Sequence, residues 1–489
     1  MSSTPPPSEA QPSRAFRLVA KLARLLLGAF FRRVEVVGLE NVPTDGGVIL
    51  VSWHPNGIVD PALLFDASPR PVIFGARHGL FKVPIFGAIL RATGAVPIYR
   101  AGDDGSGDPE KRRAANAKSL DALARAVTEG GVTCLFPEGD SHDQPGLLRL
   151  KTGLARFYYR ARELRPDAPP RIVPVGLHYD EKHAFRSSAL VTFHPAIALP
   201  SELDETPSEA SDERREELAR GLTRLVETTL HDAVHATESW QIHHLMHRAR
   251  TLTRAERARR DGEESRPPTM RERTEVFARI WRAYELRRRT HPEEVGRLVA
   301  RLREYDADLR ALGLQDHELD RGPALFDVWL GLLLLVQAFF VYLLLPPLIF
   351  FGAIVNGPPA FLLWLAARAA AKRKKDEASI KLLLGGLLFP ATWIGLGVAA
   401  AFGHLSMLEK YPGIPEMPVL AGVTVASFAF LGGAVALRYL NMVRDTARAL
   451  RVRLTRHRRK LSVAHLLHER DVLHDALLAV EGEEEEMLP

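Results

Sequence analysis

The sequence predicts an α/β domain, then a charged helical region, then an all-α membrane domain. Three observations carry that prediction. Up to about residue 200, short β-branched runs alternate with helical stretches, the pattern of an α/β layer structure. The long apolar runs concentrate instead between Val328 and Leu437, and the stretch joining the two regions is dense in charge. At 489 residues the chain is also too long for one hydrophobic core.

Taken in order, residues 1–14 hold little to bury and are predicted to be a disordered N-terminus, with no apolar core that would mark a cleavable leader. Residues 15–33 place Leu18, Leu22, Leu25, Leu26 and Phe30 near helical spacing among Arg17, Lys21, Arg24, Arg32 and Arg33. That segment is too short and too basic to span a bilayer. It predicts an interfacial amphipathic helix, with a core helix of the following domain as the alternative. Within the α/β domain, residues 34–200, continuous apolar runs at 48–52, 72–75, 132–136, 172–177 and 190–193 predict buried strands. The clearest helix covers 111–129, with Leu120, Leu123, Ala124 and Val127 on one face and Gly130-Gly131 as its stop.

Residues 201–325 form the charged helical region, where Leu218, Leu222, Leu225 and Val226 make an apolar stripe. The membrane domain covers residues 326–440. Its first apolar stretch is interrupted at Pro346-Pro347 and again at Asn356-Gly-Pro-Pro359, while 382–402 and 419–437 are each about one bilayer long. Basic residues at 368 and 372–375, and again from Arg444 to Lys460, put both of those loops on the cytoplasmic side by the positive-inside rule. With a cytoplasmic α/β domain this predicts four crossings in the cell (inner) membrane, the first two as a hairpin at the double proline. Residues 441–489 are then a cytoplasmic tail, basic and then acidic.

The formal charge of +6 and pI near 9.4 call for an anionic partner. In a chain with apolar spans that partner is anionic lipid rather than nucleic acid. The single cysteine, Cys134, excludes an internal disulfide and any CxxC metal site, and inside a predicted strand it reads as a small buried hydrophobe. His243 and His247 share a helix face, but no third ligand accompanies them, so no metal is expected.

Four blocks in the α/β domain carry chemistry. The first is Val51-Ser-Trp-His54-Pro-Asn-Gly-Ile-Val-Asp60-Pro61. A histidine just after a buried strand and close to an aspartate suits a general base whose tautomer the carboxylate fixes. Asp60-Pro61 also reads as a helix cap with proline in the first turn. The second block, Gly94-Ala-Val-Pro97-Ile-Tyr-Arg100, is a turn, a short strand and an arginine whose planar fork suits phosphate. Phe136-Pro137-Glu138-Gly139-Asp-Ser141, with Lys151-Thr-Gly153 downstream, places a carboxylate and a loop at the edge of the sheet. Ser141 lacks a Gly-x-Ser-x-Gly elbow, which argues against a hydrolase triad. The fourth block is Val173-Pro174-Val175-Gly176.

In this order and at separations of about forty residues, the blocks resemble the glycerolipid acyltransferase family, which includes glycerol-3-phosphate and 1-acylglycerol-3-phosphate acyltransferases. The resemblance covers about residues 35–200. It implies that His54 is the base and Asp60 its partner. It further implies that Arg100, Glu138, Gly139 and Ser141 hold the acceptor's glycerol phosphate, with Lys151 assisting, and that Pro174 shapes the acyl-donor side. Acyl-CoA or acyl-carrier protein would be the donor, with no cofactor. One departure is that five residues separate His54 from Asp60 where the family usually has four. This longer form resembles the branch with membrane segments after the catalytic domain, including fungal-type glycerol-3-phosphate and dihydroxyacetone-phosphate acyltransferases. The implied acceptor is glycerol 3-phosphate, with 1-acylglycerol 3-phosphate or another lysophospholipid as the alternative. A lipid transporter with a fused acyltransferase domain is a further reading, weakened by the lack of charge within the spans.

Overall fold

A computed structural model of the chain describes residues 14–99, 109–235, 237, 239–262, 269–320, 328–370, 374–411 and 413–487. The expected disordered segment lies outside the described residues for its first thirteen positions, as does Arg100. Seven strands form one sheet: β1 (Arg33–Val37), β2 (Val48–Ser52), β3 (Val72–Arg77), β4 (Val96–Ile98), β5 (Val132–Leu135), β6 (Arg171–Tyr179) and β7 (Ser188–Phe193). Their order is β1-β7-β6-β2-β5-β3-β4, and every neighbouring pair is parallel except β6 with β7. The helices of this part are α1 (Arg14–Phe30), α2 (Val59–Ala67), α3 (His78–Phe81), α4 (Pro84–Ala92), α5 (Pro109–Thr128), α6 (Gly153–Leu164) and α7 (Asp212–Val234).

Strand β2 explains why the sequence builds a two-faced layer. All five of its residues are buried, and they alternate between cores. Val48 and Leu50 point into a cluster with α1 and α2, and Ile49 and Val51 into one with α5, α6 and α7. The stripe Leu218, Leu222 and Val226 on α7 seals that second face. The α/β unit therefore extends to Trp240 and also takes in Thr269–Thr274 and Lys372–Leu382, well past the boundary at residue 200 that composition predicts. Charge density misled here because α7 is amphipathic, with its polar face in water. Helix α1 divides its apolar residues. Leu27 and Phe30 are buried in the sheet's core, whereas Leu18 (69% exposed), Leu22 (42%) and Leu25 (69%) remain outside.

The second unit contains α8 (Trp240–Asp261, from Gln241), α9 (Met270–Thr290, from Glu275), α10 (Pro292–Leu312), α11 (Asp316–Leu319), α12 (Val328–Phe339), α13 (Leu345–Ala370), α14 (Lys374–Lys410, from Leu383), α15 (Pro418–Arg458) and α16 (Lys460–Met487). Its soluble-type core joins Leu245, Leu252, Trp281, Tyr305 and Leu309 to Leu466 and Leu473. Buried Arg470 donates to Glu256, to Asp320 and to the Asp316 carbonyl, which satisfies its charge within the core.

The hairpin expected at Pro346-Pro347 is absent. A π-helical turn, Phe340–Leu344, links α12 to α13, and α13 continues through Pro358 and Pro359. Pro346 and Pro347 follow that π-helical turn directly, and their missing N–H groups remove hydrogen bonds from the helical ladder there. Glycines let α13 and α15 approach closely, since a side chain on Gly352 would strike the Gly432 carbonyl. Beside them, Asn356 Nδ2 donates to the Gly352 and Ala429 carbonyls (both 2.9 Å), and Trp393 Nε1 donates to Asn356 Oδ1 (2.9 Å). By length and composition, two helical stretches among the described residues are able to cross a membrane, Glu377–Lys410 and Pro418–Arg456.

Candidate active site

Because β2, β5 and β6 run parallel, their carboxyl ends meet at one edge of the sheet, where open α/β sheets build their sites. His54 follows β2, Glu138 follows β5, and residues 179–182 end and follow β6. The strand ends are locked together. Ser52 Oγ donates to the Val175 carbonyl (2.8 Å), and Trp53 Nε1 to the Leu177 carbonyl (2.9 Å).

His54 Nδ1 lies 2.8 Å from Asp60 Oδ2. The five intervening residues are accommodated because they turn directly into α2. The Val59 amide donates to the Asn56 carbonyl (3.0 Å), and the Asn56 amide donates back to Asp60 Oδ2 (2.7 Å). Asp60 is therefore not the helix cap. Ile58 holds that position, and Asp60 sits in the first turn with its carboxylate facing the histidine. It is fully buried, so its charge needs the donors it has: the imidazole, the Asn56 amide and the Tyr179 hydroxyl on Oδ1. With Nδ1–H committed to Asp60, the neutral imidazole presents Nε2 as an acceptor, and no partner occupies that nitrogen among the described residues. Phe136 stacks beneath the ring, with centroids 4.2 Å apart and planes 15° from parallel.

Glu138 departs from its expected role. It is 3% exposed, and both oxygens are taken by protein donors. The His54 amide donates to Oε2 (2.7 Å), while His142 Nε2 (2.7 Å) and the Leu148 amide (2.9 Å) meet Oε1. The carboxylate fixes the backbone of the histidine loop and is buried, with a protein donor on each oxygen. Gly139 adopts φ +73°, and a Cβ there would meet the Lys151 amine at 2.5 Å. The Pro-Glu-Gly sequence and the downstream lysine are thus one structural unit, closed by the Lys151 amide donating to the Pro137 carbonyl (2.9 Å). Lys151 is exposed, as a phosphate-binding amine requires. The Gly139 amide already donates to the Phe136 carbonyl (3.0 Å), which removes it as an oxyanion donor. Ser141 is half-buried, with its amide on Asp140 Oδ1. Pro174 is buried in the sheet, in register with Val51.

Ahead of Arg100, Asn116 accepts the Tyr99 amide and donates to its carbonyl (both 2.8 Å), which fixes the end of β4. Cys134 is buried and burial pushes its thiol up, away from nucleophilic use.

Several residues at this edge escaped sequence reasoning. Besides Tyr179, Asn56 Nδ2 donates to the Lys182 carbonyl (3.0 Å). Lys182 Nζ pairs with Asp143 (2.6 Å) and donates to the Pro55 carbonyl (3.2 Å), joining the loops after β2, β5 and β6. Burial alone would raise the Asp143 carboxyl, but Lys182 and His183 hold it below the usual carboxylate range. Burial and the Lys182 charge push the His183 imidazole down.

Comparisons with known proteins agree on the region. Residues 33–178 match the family model described as Acyltransferase. An uncharacterized acyltransferase of Schizosaccharomyces pombe is 25% identical over 295 residues, covering 44% of this chain and 43% of that protein. Glycerol-3-phosphate O-acyltransferase 1 of Saccharomyces cerevisiae is 38% identical over 100 residues, covering 19% and 13%. The chain thus spans less than half the length of these two curated relatives. Among solved structures, the 1-acyl-sn-glycerophosphate (LPA) acyltransferase, PlsC, of Thermotoga maritima is 18% identical, covering 45% of this chain and 85% of that one at a TM-score of 0.30. Over residues 33–178, the chain carries a domain of the Acyltransferase family.

Proposed function

We propose that the protein is a membrane-bound acyltransferase that moves a fatty acyl group from acyl-CoA or acyl-carrier protein to the sn-1 hydroxyl of glycerol 3-phosphate in phospholipid synthesis. The observation that carries this reading is His54, oriented through Nδ1 by buried Asp60 and open at Nε2, within a domain of that family. Nε2 takes the hydroxyl proton as the oxygen attacks the thioester carbonyl. The tetrahedral oxyanion then collapses, the carbon–sulfur bond breaks, and the imidazolium returns the proton to the departing thiolate. Asp60 stabilises the imidazolium while it exists. Lys151, and Arg100 beyond the described residues, would hold the phosphate. The chemistry assigned to these residues requires no metal or cofactor. Sequence similarity to a glycerol-3-phosphate O-acyltransferase supports the acceptor, and the apolar helices support the membrane setting. The catalytic domain is assigned to the cytoplasmic face by the positive-inside rule alone.

The acceptor is tested by offering membranes that contain the protein labelled acyl-CoA with either glycerol 3-phosphate or 1-acylglycerol 3-phosphate. Labelled lysophosphatidate from the first is expected. Product from the second alone would move the substrate to the lysophospholipid.

A further inference from the structure

We propose that Ser379 is a positioning residue for the His54–Asp60 pair. It is supplied by the start of the apolar helix α14, so the site is complete only with a turn that arrives more than three hundred residues later in the chain. The inference rests on the acyltransferase reading for its kinetic test, but its geometry stands apart from it. The segment between His54 and Asp60 includes Ile58, which caps α2 with no side-chain hydrogen bond of its own. The first amides of a helix have no intrahelical acceptor and need one from outside. The Ile58 amide finds it in Ser379 Oγ at 3.0 Å.

The turn that carries this hydroxyl is seated firmly. Ala378 and Leu382 are buried in the same core as Val59, Leu63 and Leu64 of α2. Ser379 itself is 7% exposed. Lys381 Nζ donates to the His183 carbonyl (3.1 Å), one residue beyond Lys182, and pairs with Glu377 (2.7 Å). Residues Lys372–Leu382 belong to the catalytic unit, and Glu377 is also where the stretch able to span a membrane begins. The side chain touches neither substrate nor the reacting atoms. It acts through the Ile58 backbone, two residues from Asp60.

The test compares full-length wild type with Ser379→Ala, Ser379→Thr and Ser379→Val in lipid nanodiscs. Thr and Val have nearly the same shape and differ in the hydroxyl, so they separate the hydrogen bond from packing. Four quantities are read: kcat, KM for glycerol 3-phosphate, the pH–rate profile, and amide hydrogen exchange of the peptide 53–60. In the Ala and Val proteins, kcat is expected to fall about three- to tenfold, the loss of one hydrogen bond, with KM unchanged. Exchange of the peptide should rise by a similar factor. The acid limb of the profile should move to lower pH, because a loosened Asp60 holds the imidazolium less well. Thr should restore all three. Equal behaviour of Thr and Val, or wild-type exchange and kcat in Ser379→Ala, would overturn the proposal. If wild type itself transfers no acyl group, the functional reading fails. Exchange in the same four proteins still decides whether Ser379 holds the loop.

Discussion

The buried carboxylate of Asp60 sets the behaviour of the site at the scale of single residues. Three donors share its charge, and one of them, Tyr179, lay outside every sequence motif because it reaches Asp60 from 119 positions away. Burial and the neighbouring Asp60 charge hold the Tyr179 phenol well above its usual range, so it remains a protonated donor at any pH where the enzyme is assayed. Tyr179→Phe removes that donor and leaves more negative charge facing His54. The imidazole then keeps its proton to higher pH, and the acid limb of kcat/KM is expected to move up by about half a pH unit. A pH–rate profile measures this, and an unmoved or lowered limb would contradict it. The sign is opposite to that expected for Ser379→Ala. His54 and Asp60 were legible in the sequence because their motif is local, and the longer spacing did no harm because its residues fold into the first turn of α2. Glu138 was legible as important and misread in role. A motif marks the presence of a carboxylate but does not reveal that protein donors occupy both its oxygens.

Whole elements divide between those that local pattern determines and those that depend on tertiary partners. The buried strands β2, β3, β5, β6 and β7 and helix α5 were legible from continuous apolar runs and 3.6-residue spacing. Strand β1 was missed, because Arg33-Val-Glu-Val-Val lies at an edge and only Val34 packs well against the core. The membrane hairpin was expected from the placement of basic residues, with its turn set at the double proline, whereas a π-helical turn carries the chain on into α13, which holds Pro358 and Pro359 inside the helix. Helix α1 joins the two readings left open for it. Its Leu27 and Phe30 face is core, and its Leu18, Leu22 and Leu25 face is exposed beside Arg17 and Lys21. That outer face is expected to lie in the lipid headgroup region, each leucine contributing about 1.5–3 kcal/mol when buried. A bimane label on Leu22→Cys, with Cys134 buried and unreactive, checks it in reconstituted vesicles. Quenching by shallow doxyl-lipid and protection from aqueous iodide are expected, relative to a label on exposed Glu129→Cys. Equal iodide quenching at both positions would place α1 in water.

At the scale of the whole molecule, the catalytic unit is discontinuous in sequence. Besides residues up to Trp240 it uses Thr269–Thr274 and Lys372–Leu382. The first of these late segments delivers the Met270 and Arg271 amides to the Glu35 carboxylate (2.8 and 3.0 Å) and an Arg273 ion pair to Asp180 (2.6 Å). The second delivers Ser379. No composition profile could have found either piece, since each is a short stretch defined by its contacts. All of this architecture serves one claim, that His54 is the general base of an acyl transfer. The most direct measurement compares wild-type and His54→Ala protein in membranes, supplied with glycerol 3-phosphate and labelled acyl-CoA. His54-dependent product is expected, with a fall in turnover of about 10³-fold in the variant. Turnover at the wild-type rate in His54→Ala would contradict it.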